Sequence, residues 1–154
     1  MRKLTILTAG ALVIASGSAF AANGPTTIGA MDGQCIALIA FDSATACDTK
    51  IVNMEFPNGR NGFLFFTSDK KIVVSFFGDG HKQLHPDADT AVQPVDHINI
   101  TVNGELQQID GAGSCRFTNP FKGVATVSCT ADTMAGRFGG EFRSNGRAPK
   151  MVKG

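Results

Sequence analysis

A chain of 154 residues carries 14 Lys and Arg against 13 Asp and Glu, a formal charge of +1 at pH 7. So even a balance gives no overall drive toward nucleic acid or an anionic membrane, and no nucleic-acid partner is expected. The chain has 12 Phe but no Trp and no Tyr. Sugar-binding faces and protein hot spots draw on Trp and Tyr, so the composition counts against a carbohydrate-binding module and marks the aromatics as core filling.

Arg2 and Lys3 precede an apolar run, Leu4 to Ala15, and small residues then end in Ala19-Phe20-Ala21. A positive start, a short apolar run and an A-x-A site spell a secretory signal peptide over 1–21, cleaved near Ala21. The run is shorter than the roughly 20 residues that span a bilayer, and no later run approaches that length, so no transmembrane segment is expected. The mature chain, about 133 residues, is one domain's worth and buries roughly two thirds of the surface its unfolded form exposes. Loss of Arg2 and Lys3 lowers its formal charge from +1 to about −1. Its expected location is the periplasm or the extracellular medium.

Residues 22–33 read as an N-terminal arm, 34–147 as a single all-β domain and 148–154 as a basic C-terminal tail. Short runs rich in Ile, Val, Phe and Thr lie between Asn-Gly pairs at 23–24, 58–59, 61–62, 103–104 and 145–146 and Asp-Gly pairs at 32–33, 79–80 and 110–111. Such pairs favour positive φ and mark hairpin turns. Strands are predicted at 34–41, 50–56, 62–67, 71–77, 97–102, 105–110, 114–118, 123–129 and 137–143. The segment Asp42 to Asp48 is the one place where a short helical turn competes. Hairpin after hairpin predicts an all-β fold, an antiparallel β-sandwich or small barrel of about eight strands. Both faces of Gly62-Phe63-Leu64-Phe65-Phe66-Thr67 are apolar, which puts this strand and its neighbour 71–77 at the centre of the domain.

Cys35, Cys47, Cys115 and Cys129 are an even set in an exported chain, so two disulfides are expected. Pairing Cys35 with Cys47 and Cys115 with Cys129 closes two local loops, each stabilising by roughly 3 kcal/mol in the chain-entropy model. Cross-pairing between the two clusters is the alternative. No C-x-x-C spacing favours zinc.

One hairpin tests register. A two-residue turn at Asn103-Gly104 pairs Thr101 with Leu106 and mismatches their faces. A three-residue loop over 102–104 with a bulged Gly104 pairs Ile100 with Leu106 instead. Period-2 alternation predicts the bulge.

His81, His85 and His97, with Asp79, Asp87, Asp89 and Asp96, fall in or beside the longest stretch without apolar periodicity, Gly78 to Asp96. Imidazole with carboxylate can hold zinc or a related metal. Solvated loop residues are the plainer reading, so the three histidines are candidate ligands in a chain for which no metal and no cofactor is expected. Asp87-Ala88-Asp89 opens like a calcium loop but lacks its Gly and closing Glu.

Toward the end of the chain, Arg137, Arg143, Arg147, Lys150 and Lys153 face only Glu141. The three arginines form a candidate binding surface for a protein or an envelope polyanion, and a solvated basic tail is the plainer alternative. No G-x-S-x-G elbow, phosphate-binding glycine loop or carboxylate pair in apolar surroundings appears, so no catalytic residue is assigned. The expected role is that of a small exported, non-catalytic β-domain binding an unknown protein or cell-envelope component. The alternatives are a barrel for a hydrophobic ligand or lipid and, below it, a metal-dependent enzyme built on the histidine loop.

Overall fold

The computed structural model of the protein describes residues 24–154, and the leader over 1–21 lies outside the described residues. Eleven strands run β1 (Thr27–Ala40), β2 (Ser43–Ala44), β3 (Cys47–Glu55), β4 (Arg60–Thr67), β5 (Ile72–Asp79), β6 (Leu84–Asp87), β7 (Thr90–Val102), β8 (Glu105–Thr118), β9 (Thr126–Thr133), β10 (Gly136–Ser144) and β11 (Lys150–Lys153). Eight of them, β1, β3, β4, β5, β7, β8, β9 and β10, pair antiparallel in meander order, and β10 returns to β1 to close a barrel. Closure settles the choice between sandwich and barrel. The remaining three strands are accessory: β2 and β11 pair with β1, and β6 with β7.

Alternation along each strand sends one face into the barrel. Phe63 and Phe65 from β4, Val74 and Phe76 from β5, and Phe138 and Phe142 from β10 are all buried there. Each such side chain contributes roughly 1.5–3 kcal/mol by leaving water. Phe65 and Phe76 meet edge to face at 5.7 Å between ring centroids, an arrangement the ring quadrupoles favour.

Both disulfides take the local pairing. Cys35 on β1 joins Cys47 at the start of β3, and Cys115 joins Cys129 directly across the β8–β9 ladder inside the barrel. The sequence separations are 12 and 14 residues.

Several expectations are corrected. The stretch read as an N-terminal arm, 22–33, is strand from Thr27 onward. Its Asp32-Gly33 pair marks the place where β1 changes neighbours from β11 to β10, not a turn. A Cβ at Gly33 would sit 2.1 Å from the Arg143 carbonyl oxygen, so only glycine lets the two backbones meet there. The basic tail, 148–154, contains β11. Asp42 to Asp48 holds the short strand β2 in place of a helical turn.

Asp110-Gly111 is likewise no turn: β8 runs through it, with Gly111 and Ala112 opposing Asp96 alone in a bulge between the Val95–Gly113 and His97–Asp110 pairs. The stretch Gly78 to Asp96 contains β6 and the first half of β7. Its alternation was hidden because the inward position between Ala91 and Val95 is the polar Gln93, which is completely buried. The Asn103-Gly104 hairpin also departs from the expected bulge. Thr101 pairs with Leu106 and Val102 with Glu105, and Asn103 and Gly104 both take positive φ, 50° and 86°. Asn-Gly accommodates a two-residue turn of this hand, and Leu106 lies at the barrel's end, 64% exposed, where no core enforces a face.

Candidate functional site

The two ends of the barrel differ. One is closed by short connections, 68–71, 103–104 and 134–135, and by the stapled 41–46 connection. There Phe41 meets the buried Phe138 edge to face, 4.9 Å between centroids. At the other end the connections 56–59, 80–89, 119–125 and 145–149 stand around an open mouth, and β11 crosses beside it to reach the first four residues of β1.

Beneath this mouth lies a cavity of about 220 Å³. Its apolar wall is formed by Met31, Phe63, Phe117, Phe121, Val127 and Met151, and Asn53, Glu55, Asn61 and Gln83 supply the polar wall. Phe63 and Phe117, 4.8 Å apart between centroids, meet across the barrel at this depth. Phe121, Met151 and nearby Val124 are half or more exposed, so apolar surface continues from the cavity to its rim.

Asn53, Asn61 and Gln83 of the polar wall are linked through the buried Gln93 behind it, and two backbone carbonyls fix the orientations of these four amides. Asn53 Nδ2 donates to the Gly62 carbonyl at 3.0 Å and to Asn61 Oδ1 at 2.6 Å. Gln93 Nε2 donates to the Asn61 carbonyl at 3.0 Å, and Gln83 Nε2 donates to Gln93 Oε1 at 2.8 Å. A carbonyl can only accept, so Asn53 and Gln93 must present nitrogen to it, and each neighbouring amide follows. Burial of Gln93 thus costs little, because both ends of its amide are satisfied. Asn61 Nδ2, Asn53 Oδ1 and Gln83 Oε1 have no hydrogen-bond partner among the described residues, nor is any of them sealed from solvent. No Lys or Arg lines the cavity, and its single charged residue, Glu55, forms no ion pair among the described residues.

Outside the same wall, Arg60 reaches over β5 to grip both carboxylate oxygens of Asp96, which lies opposite the β8 bulge. The guanidinium holds the Asp96 carboxyl below the usual carboxylate range, and the carboxylate in turn raises Arg60. His97 stacks on Phe77 at 5.5 Å between centroids and sets Nδ1 2.7 Å from Asp96 Oδ1. The cluster ties β4 to β7 near the mouth.

The histidines do not converge. His81 lies in a single 3-10 turn, Gly80–Lys82, against Gly59, His85 is exposed on β6, and His97 is on the outer barrel wall. No group of three His, Cys, Asp or Glu residues placed to hold a metal occurs among the described residues. Asp87 Oδ1 accepts the Asp89 N–H within the β6–β7 turn, and Asp89 pairs with Lys122 at 2.8 Å, joining that turn to the 119–125 loop.

The arginines are split between the two ends. Arg137 is the second residue of β10, at the closed end, and pairs with Asp132 at 3.0 Å. Arg143 lies six residues along, about 20 Å away at strand rise, with Arg147 in the loop beyond it.

None of the four amides of the mouth was singled out from the sequence. A signal was present: Asn53 shares its inward face with Ile51, and Asn61 with Phe63 and Phe65, so each is a polar residue on an apolar face at a strand end.

Eight-stranded barrels are either filled by side chains or hold one small ligand. This one is filled over most of its length and open at one end, which defines it as a disulfide-stapled meander barrel with a terminal cavity. Comparison with protein-family models, curated proteins and solved structures finds no match.

Proposed function

We propose that the protein is an exported, non-catalytic binding protein whose site is the mouth of the barrel and whose ligand is a small apolar molecule or the apolar end of an envelope component. The observation that carries this reading is the cavity itself: an apolar wall, a hydrogen-bonded amide chain and an exposed apolar rim converge in one place. Apolar cavities of about 150 Å³ hold a benzene, and ligand sites commonly measure about 300–1,000 Å³. A cavity of about 220 Å³ thus suits a ring or a short chain, not a whole lipid.

Export supports the reading. Two disulfides belong to an oxidising compartment, and the leader over 1–21 has the form of a cleaved signal peptide that delivers the chain to the periplasm or the medium. Binding a protein through the β10 arginines draws less support, since Arg137 is spent on Asp132 at the opposite end.

The chain has no Trp, so Phe121→Trp installs a single fluorescent reporter at the rim. Titration with short apolar compounds should shift its emission to the blue and raise the melting temperature of the unmodified protein. If emission and melting both stay constant, and the native mass of exported protein shows no small-molecule adduct, the mouth is not a ligand site.

A further inference from the structure

The polar wall of the mouth carries information about the ligand's head group. Resting on the reading of the mouth as a ligand site, we infer that the barrel selects an uncharged amide: a short apolar group joined to a carboxamide, in preference to a carboxylate or an amine.

Three observations lead there. Asn61 is only 7% exposed, yet its Nδ2 has no hydrogen-bond partner and its side chain lines the cavity. Its orientation is dictated by the chain from the Gly62 carbonyl through Asn53, so the atom left over is a donor that needs an acceptor such as a ligand carbonyl. The same logic, run from the Asn61 carbonyl through Gln93 to Gln83, leaves Gln83 Oε1 as an acceptor. Asn53 Oδ1 is a second. A ligand that meets a donor and acceptors on the lining of one cavity satisfies them by carrying both, and a carboxamide does so without charge.

Charge decides the rest. A carboxylate ligand would satisfy Asn61 Nδ2 but face two amide oxygens and the Glu55 carboxylate, with no Lys or Arg on the lining to offset it. An ammonium ligand would suit Glu55 and the amide oxygens, but it would shut Asn61 Nδ2 off from solvent and offer it no acceptor. An unmade hydrogen bond at a buried group is the larger penalty, because rejection by unpaired polar groups exceeds what an exposed charge contributes. Glu55 is exposed, so water screens its attraction for a cation.

The test is a ranking of three probes with one tail. Hexanamide, hexanoate and hexylamine are titrated at pH 7 into the mature protein labelled with nitrogen-15, following the side-chain amide signals of Asn53, Asn61 and Gln83. Hexanamide should bind at least fivefold more tightly than either charged probe and move the Asn61 signals most. In Asn61→Leu the preference over hexylamine should vanish. Should that variant fail to fold, Asn61→Asp serves instead: it keeps the acceptor that Asn53 meets, replaces the free donor by an acceptor, and should shift the preference to hexylamine. Binding of hexanoate or hexylamine as tight as that of hexanamide overturns the head-group inference while leaving the mouth a ligand site. Absence of binding by all three overturns both.

Discussion

The ring of Phe65 lies flat against the backbone of Gly140 on the far side of the barrel: a Cβ at Gly140 would stand 2.7 Å from the ring's Cζ. Two strands far apart in sequence, β4 and β10, are thereby packed through one aromatic ring and one missing side chain. Gly140→Ala is expected to destabilise by about 1–3 kcal/mol through overpacking. Phe65→Leu in the same chain should recover part of the loss. A double-mutant cycle on urea midpoints measures the coupling, and strict additivity would show that the two residues do not press on each other.

The Arg60–Asp96 pair gives a signed pH dependence. Because Asp96 titrates lower in the fold than in the unfolded chain, the unfolded state binds more protons between the two values. The stability from this pair is present above the unfolded carboxylate range, about 3.9, and is lost as pH falls through the folded value. Asp96→Asn should therefore flatten the decline of the urea midpoint below about pH 4 relative to the unsubstituted protein. Parallel declines would deny the pair its contribution.

Cys115 and Cys129 are buried inside the barrel, whereas Cys35 and Cys47 are partly exposed. A thiolate must reach the sulfur it attacks, so mild reductant should open Cys35–Cys47 first, as read by alkylation and peptide mass. Replacing both Cys115 and Cys129 by Ala removes a loop of 14 residues and should lower stability by roughly 3 kcal/mol. Equal rates of reduction in the native protein would mean that the barrel opens faster than the thiol attacks.

At the Asn103-Gly104 turn, Gly104 adopts φ of 86° with nothing within 4 Å of its missing Cβ. Gly104→Ala therefore meets no clash and pays only for the left-handed backbone, about 1–2 kcal/mol. Thermal melts should register that loss, and chemical shifts should show the Thr101–Leu106 register retained. A shift to the bulged register would show that alternation, not turn chemistry, governs this hairpin.

Local chemistry was legible along the chain, and non-local chemistry was not. Asn103-Gly104 announced a tight turn because positive φ is a property of those two residues. Its register is not a local property, because burial of Leu106 depends on where the barrel ends. Asp32-Gly33, Asn61-Gly62 and Asp110-Gly111 carry the same turn signature and form none. In the fold, Gly33 admits a neighbouring backbone and Gly111 forms a bulge, and only the adjacent strands decide this. Gln93 concealed half of β7 because its amide is satisfied by Asn61 and Gln83, neither of which adjoins it in sequence.

From the sequence alone came the all-β class, the pairing of cysteines 12 and 14 residues apart and the expectation of export. Each depends on composition or on contacts between near neighbours, where loop closure is short and few arrangements compete. Closure of β10 onto β1, the placement of Arg137 and Arg143 at opposite ends, and the mouth with its amide chain were decided by tertiary structure. The mouth gathers Asn53, Asn61, Gln83 and Gln93 from β3, β4, the connection after β5, and β7. A polar residue becomes part of a site only when barrel closure turns its strand face inward and stacks it at the same depth as the others.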